Sequence, residues 1–445
     1  MNGLRRMHGL LIAYNTLLSL LVLIGAPLLV PLILTTPKWR GIVRQRAAHW
    51  TYAWERRQNS RDLRTIWIHA LSVGEVAAAR PLAEALRDAG RFDRIVVSCS
   101  TFTGFNAAAR LLAGYELCYF PFDWMGAVRR MADKIAPCAV IIVETDLWPN
   151  FLYEMRRRRV PVYLANVRLS DRTFAAWRRF RPAAAALYGT LNKIAVQSER
   201  DRRRFLQLGI ADGRLGIAGN LKFDAADQAP DPHALGRWRD RLRIAADARV
   251  LVAGSTHPGE EAVVLEAVMR ALRGGVRCRL LVAPRDPSRA GEIVLLAARR
   301  GFSAQLLGAE MEPAPADVVV IDRFGVLKTL YGLADVAFVG GSLVRSGGHN
   351  PLEPAAWGKA VLFGPDMRDF ASIAQWLLES GGAIPVADAA SFSAALIRLL
   401  ADREAVASMG RRAKAVFEAH EGAARRTLAF FGLGTAVEKG NRGCR

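Results

Sequence analysis

The chain has 445 residues, of which 51% are hydrophobic, 23% charged and 8% aromatic, a balance that excludes disordered, collagenous and low-complexity classes. Net charge is +21, so the expected partner is polyanionic: nucleic acid, an anionic membrane face, or phosphorylated substrates. Five cysteines (Cys99, Cys118, Cys138, Cys278 and Cys444) show no CxxC and no metal-ligand spacing, which argues for a reducing compartment and against a zinc module.

Between Arg6 and Lys38 no residue is charged when His8 is neutral, and the run reads LLIAYNTLLSLLVLIGAPLLVPLIL. At ~1.5 Å per residue it is long enough to cross a ~30 Å hydrocarbon layer. A cleaved signal peptide fits less well, because the run is too long and no small-x-small site follows it. A buried core helix is the third reading. Pro27 and Pro31 would kink the helix, which leaves a tilted or partly inserted anchor open. Arg5 and Arg6 precede the run, whereas Lys38, Arg40, Arg44, Arg46, Arg56, Arg57, Arg61 and Arg64 follow it. The positive-inside bias then puts the globular body in the cytoplasm, against an anionic membrane surface.

From residue 64 onward, short apolar runs alternate with amphipathic stretches. Residues 65–70 (TIWIHA), 94–98 (RIVVS), 139–143 (AVIIV), 160–164 (VPVYL) and 193–196 (KIAV) each read as a buried strand followed by a polar tip and a helix. Strands buried on both faces and separated by helices predict a parallel, doubly wound sheet. The rhythm restarts after the Asp- and Pro-rich stretch 224–234 (DAADQAPDPHA), at 249–253, 279–283, 318–321, 336–339 and 360–363. The expected organisation is an anchor over 1–37, a first Rossmann-like domain over 38–226 and a second over 227–445, facing across a cleft.

Ligands in such sheets bind at the carboxyl ends of strands, so the informative residues follow the apolar runs. In SVGE, Glu75 opens a helix. It is either a carboxylate answering the helix dipole or a general base. IIVETDLWPN places Glu144 and Asp146 beside Trp148, as a solvated loop or as a pair that polarises a substrate. GNLKFD carries Lys222, a surface lysine or a cationic site residue. GSTHPGEE is a candidate phosphate nest or simply a helix start. FVGGSLVRSGGHNPLEPAAWGKAVLFGP has two Gly-rich turns, then a helix start near Pro351 with Asn350 as its cap and Glu353 in its first turn. Glycines there allow close approach of a ligand, and Glu353 can accept two ribose hydroxyls. The spacing is neither G-x-x-x-x-G-K-S/T nor G-x-G-x-x-G. Arg156–Arg159, and Arg200 with Arg202–Arg204, form solvated faces or anion-binding ones.

In order, WIHALSVGEV, CSTFTGFNAA, YFPFDW, ETDLWPN, LANVRLSDRTF, QSERDRRRF, GNLKFD, GSTHPGEE, APRDPSR and FVGGSLVRSGGHNPLEPAAWGKAVLFGP resemble the Kdo transferases. These are inner-membrane enzymes that transfer 3-deoxy-D-manno-octulosonic acid to lipid A precursors. The resemblance implies a GT-B fold, with acceptor binding in the first domain and CMP-Kdo binding in the second. It matches Glu75 to the catalytic base, and Glu144 and Lys222 to positions that stabilise the transition state. It matches Pro284 and Arg285, the turn Phe324, Gly325 and Val326, and Asn350, Pro351, Leu352 and Glu353 to the CMP-binding segments. The expected reaction is inverting and needs no metal or cofactor, with the anionic membrane surface, not nucleic acid, answering the excess charge.

Three departures fall in the donor half. The family has a His where this chain has Asp286, Gly-Glu-Leu where it has Gly325-Val326-Leu327, and Gly-Pro-His then Asn-Phe where it has Gly364-Pro365-Asp366 and Asp369-Phe370. A carboxylate added near a nucleotide phosphate is unfavourable. The alternative is therefore a GT-B enzyme using another sugar nucleotide. From a different class, the alternative is a non-catalytic, membrane-tethered polyanion binder.

Overall fold

The computed structural model describes residues 2–47, 63–144, 147–225, 232–245, 247–308 and 316–434. The chain divides into two compact units, one of residues 1–225 with 421–445, the other of residues 226–420.

The first unit is built on seven strands: β1 (Thr65–His69), β2 (Arg94–Cys99), β3 (Glu116–Tyr119), β4 (Pro137–Val143), β5 (Val162–Val167), β6 (Lys193–Val196) and β7 (Leu215–Ile217). They form one sheet in the order β3-β2-β1-β4-β5-β6-β7, every pairing parallel. All five residues of β1 are buried, because helices cover both faces of the sheet. On one face Trp67 packs against Phe120 and Phe151, with ring centroids 5.7 and 5.1 Å away. On the other, Ile66, Ile68, Val97 and Ile141 meet Leu82 and Leu86 of the helix Val73–Asp88. Each such side chain, fully buried, contributes ~1.5–3 kcal/mol.

The second unit repeats the plan with β8 (Val250–Thr256), β9 (Arg279–Pro284), β10 (Ala304–Leu306), β11 (Val318–Val320), β12 (Val336–Val339), β13 (Ala360–Phe363) and β14 (Ala383–Pro385). The order is β10-β11-β9-β8-β12-β13-β14, again parallel. Strand order reverses between β1 and β4 in the first sheet and between β8 and β12 in the second. Those are the switch points at which doubly wound sheets open a crevice for ligands.

The apolar runs read as strands from residue 64 onward are all strands, with ends shifted by a few residues: the run expected at 160–164 forms β5 two residues later. Four strands escaped the sequence pattern: β3, β7, β10 and β14. They are the four sheet edges. Each is three or four residues long and only partly buried, so none carries a continuous apolar run.

The expected boundary after residue 226 lies beside the observed one, but the carboxyl terminus does not stay in the second unit. The helix Ala423–Phe431 packs on the first sheet, with Phe431 stacked on Tyr163 at 4.7 Å. Asp224 holds its start, its carboxylate accepting from the backbone N–H groups of Gly422, Ala423 and Ala424 at 2.7, 3.2 and 2.7 Å. A helix start exposes unpaired donors, and Asp224 supplies the acceptor that fixes this one.

The expected anchor over 1–37 contains the helix Asn2–Thr35, with Pro27 and Pro31 inside it. Among the described residues no helix is long and apolar enough to cross a membrane. The helix docks on the first unit instead. Leu11 is buried, and Asn15 and Asn150 exchange amide hydrogen bonds of 2.7 and 3.0 Å. Arg46, one of the basic residues after the run, donates to the carbonyls of Phe120 and Ser100. Its charge therefore helps to seat the helix Pro37–Arg46.

Candidate functional site

In the first unit, Glu75 and Glu144 follow β1 and β4, the two strands that flank the switch point. Ser72 caps the helix Val73–Asp88, and Glu75 sits in its first turn, 8% exposed. Its Oε2 accepts from the Leu71 N–H at 2.6 Å, and the Ser72 hydroxyl lies 3.3 Å from Oε1. The side chain thus closes its own helix start while standing at the carboxyl edge of the sheet. Both readings of this residue therefore survive in one geometry.

Glu144 takes φ 66°, a left-handed conformation costly for a side chain and typical of functional turns. Burial pushes its carboxyl above the usual range, opposed by Lys222 and Arg168 and by the Asn166 amide, whose nitrogen lies 3.5 Å from Oε1. Asn166, itself at φ 60°, also accepts from the Leu221 N–H at 2.9 Å and from Gln197. It therefore fixes both Glu144 and the backbone just before Lys222. Trp148 opens the helix Pro149–Arg157 with its indole N–H buried and unpaired. Asp146 lies outside the described residues.

In the second unit the expected residues gather at the carboxyl ends of β8, β9, β11 and β12. Pro284 ends β9, and the Arg285 N–H donates to the Thr256 carbonyl at 2.9 Å, leaving its guanidinium on an exposed residue. Phe324 is 73% exposed, Gly325 takes φ 89°, and Val326 opens the helix Leu327–Tyr331. Asn350 Oδ1 accepts from the Leu352 N–H at 3.1 Å, so Asn350 stabilises the turn, while Pro351 occupies the cap of the helix Leu352–Ala356. Burial pushes the Glu353 carboxyl up to about 7, against Lys328, Arg285 and Asn350, which favour its charge. Arg285, Lys328 and Glu353 are therefore electrostatic neighbours.

At GSTHPGEE, a candidate phosphate nest or simply a helix start, a carboxylate of the same segment already occupies backbone donors, together with those of the Gly-rich turn after β12. Glu260, fully buried, accepts from the N–H groups of His257 and Gly341 on Oε2 (2.9 and 2.7 Å). On Oε1 it accepts from those of Ser342 and Leu343 (3.0 and 2.8 Å). Three further donors are committed too. Gly347 N–H goes to Asp366, Gly348 N–H to the Gly341 carbonyl and His349 N–H to the Gly340 carbonyl. A side chain at Gly340 would meet the Ser255 carbonyl at 2.5 Å, so only glycine lets β12 leave the sheet this close to β8.

Most arginines of the two clusters are ion-paired. Arg157 and Arg158 bind Glu154 and hold it down to about 2. Arg200 and Arg204 bind Asp171, and Arg202 binds Glu199 and Asp212.

A family model described as 3-deoxy-D-manno-octulosonic-acid transferase matches residues 43–225. A 3-deoxy-D-manno-octulosonic acid transferase of Haemophilus influenzae is 32% identical over 373 residues, covering 82% of this chain and 85% of its own. The chain belongs to the 3-deoxy-D-manno-octulosonic acid transferase family. The Bordetella pertussis enzyme of the same name is 33% identical over 379 residues, covering 82% of this chain and 86% of its own. Among solved structures, a glycosyltransferase from Rickettsia africae superposes with a TM-score of 0.55 at 12% identity, over 84% of this chain and 99% of that one. That likeness concerns the fold, which is α/β with two parallel sheets of the GT-B kind.

The departures at Asp286 and Asp366 each find local partners. Asp286 turns back on its own loop, accepting from the Ser288 N–H and hydroxyl at 3.0 and 2.8 Å. Asp366 is held down to about 2 by Arg368, at 2.6 and 2.9 Å, and by the Gly347 N–H. Each added carboxylate is spent on shaping a turn. Sequence reasoning missed His257, Glu260, Asn166 and Arg168, although all four lie inside segments that carried the resemblance.

Proposed function

We infer that this glycosyltransferase moves Kdo from CMP-Kdo to a lipid A precursor by inversion, without a metal. The reading is carried by one observation: Glu75, Glu144 and Lys222 border the first switch point, and Arg285 and Glu353 border the second. In the proposed reaction the acceptor hydroxyl attacks the anomeric carbon and gives its proton to Glu75. The bond from that carbon to the phosphate oxygen breaks, and its electron pair leaves with CMP. Arg285 meets the charge that develops on the phosphate. Lys222 offsets the carboxylate of the sugar acid, beside Glu144. The test is incubation of the purified protein with CMP-Kdo and a tetraacylated lipid A precursor. The product should gain the mass of one or more Kdo units; an acceptor left unchanged sinks the reading.

Glu353→Ala should weaken CMP binding about ten- to a hundredfold, since losing hydrogen bonds to a charged group costs ~1.5–3 kcal/mol. Turnover at saturating donor should change little. Calorimetric titration with CMP checks this, and unchanged affinity would remove Glu353 from the site.

We propose that the N-terminal helix, docked on the first unit, acts as a partly inserted anchor, not a spanning one, and holds the body at the cytoplasmic face of the inner membrane. Leu17, Leu20, Leu21, Leu23 and Ile24 support it, each more than half exposed on a docked helix. The full chain should stay on phosphatidylglycerol vesicles at 1 M salt, where charge attraction is screened within ~3 Å. Complete release would leave only electrostatic attachment.

A further inference from the structure

We propose that His257 and His349 act as one proton-sharing pair that receives the donor's phosphoryl group, and that nucleotide binding draws a proton onto the pair. The proposal rests on the assignment of the second unit to the nucleotide. It begins with the backbone. The N–H groups at 257, 341, 342, 343, 347, 348 and 349 all have protein acceptors. Those seven donors are therefore engaged within the protein, and the side chains beside them are the groups placed to meet an arriving anion.

The two imidazoles are placed for that task. His257 follows β8 and His349 follows the Gly-rich turn after β12, and their Nε2 atoms stand 2.8 Å apart. The rings are nearly parallel, 16° between planes. Gly341, at φ 68°, makes the room: a side chain there would meet His349 Cδ2 at 2.9 Å. A contact of 2.8 Å between two ring nitrogens needs one proton between them, donated by one ring and accepted by the other. In the neutral pair, the donating ring has a bare Nδ1. A further proton can add there without breaking the Nε2 contact, and the pair then carries one positive charge and two outward Nδ1–H donors.

The surroundings hold the His349 ring neutral. Burial, then Arg285 and the partner ring, push His349 down to about 4. The other nearby charges are already engaged. Glu260 serves the backbone N–H groups, Asp366 pairs with Arg368, Asp369 packs at Gly347, and Glu353 faces Lys328 and Arg285. Ser346 Oγ, 3.4 Å from His257 Nδ1, can turn to accept. A phosphoryl anion reverses the sign of the local field. At ~4–5 Å, in the effective dielectric of a protein surface, one such charge is enough to bring the pair's proton affinity back toward neutrality.

The test uses the full-length protein and cytidine 5′-phosphate methyl ester, whose phosphate does not titrate near neutrality. Calorimetric titrations at pH 7 in PIPES and in Tris separate binding heat from buffer ionisation. The native protein should take up about half a proton or more per ligand, with affinity falling as pH rises from 6 to 8. His349→Gln and His257→Gln should each bind about tenfold or more weakly, take up no proton and show a flat pH profile. The native titration needs no variant to fold. Binding with no proton uptake overturns the pair while leaving the nucleotide assignment intact. Uptake that survives both histidine variants but disappears in Glu353→Gln moves the proton to Glu353 and likewise overturns the pair. No binding at all overturns the nucleotide assignment and the pair with it.

Discussion

Glu75→Gln should lower turnover by ~10²-fold or more while leaving CMP affinity and melting temperature near those of the parent. The glutamine keeps an acceptor for the Leu71 N–H, now 2.6 Å from Oε2, so the start of the helix Val73–Asp88 is preserved. Because Glu75 is largely buried, the lost charge at this helix start is worth up to ~2 kcal/mol, too little to unfold a unit of this size. An amide cannot take the acceptor's proton, so the chemical step should bear nearly the whole effect. The segments proposed to bind CMP lie in the second unit, which is why affinity is the internal control. Rates with CMP-Kdo and calorimetry with CMP separate the outcomes. A variant that turns over like the parent would reduce Glu75 to the capping group that its hydrogen bonds already make it. Glu144 would then be the next base to test, since burial raises its carboxyl toward the range useful for proton transfer.

Much of this site was legible because a residue just after a continuous apolar strand stands at the carboxyl edge of a parallel sheet. Glu75, Glu144, Arg285 and Gly340 all follow such runs. The edge strands were not legible for the converse reason. Ala304–Leu306 has no fully buried residue, and nothing in so short a run separates it from a loop. The return of the chain to the first unit was hidden too. An amphipathic helix such as Ala423–Phe431 can cover either sheet, and the partners that hold it on the first lie far back in the chain: Asp224 at its start, Tyr163 against Phe431 and Lys193 on the Phe430 carbonyl.

For GSTHPGEE, of the two readings, a candidate phosphate nest or simply a helix start, the hydrogen bonds favour the second. A nest is defined by free N–H groups, and whether they are free depends on a carboxylate some eighty positions away in the chain. Local sequence showed Glu260 only as an acidic residue in the first turn of a helix, where such residues are common. Two left-handed residues told the same story in the first unit. Neither Glu144 nor Asn166 looks unusual in a strand-end sequence, yet both take positive φ and are locked by the hydrogen-bond web around Asn166.

Glu260→Ala should be the most damaging single substitution in the second unit. Removing the carboxylate strands four backbone N–H groups, at His257, Gly341, Ser342 and Leu343. Each hydrogen bond to a charged acceptor is worth ~1.5–3 kcal/mol, and an orphaned buried donor costs ~1–3 kcal/mol. The losses are not additive, because the turn relaxes and water enters the gap, but ~4 kcal/mol or more is expected. Glu260→Gln should fall between. Its carbonyl oxygen can serve two of the donors, while its amide N–H groups face the other two. Amide hydrogen exchange reads the effect directly: residues 341–343 should lose protection in the alanine variant and part of it in the glutamine one. CMP affinity should fall more than a hundredfold in Glu260→Ala, because Arg285, His257 and His349 would no longer be held around one point. A Glu260→Ala protein with parent-like protection at 341–343 and parent-like CMP affinity would mean that β8 and the Gly-rich turn are held together by packing alone, with the buried carboxylate contributing nothing to the site.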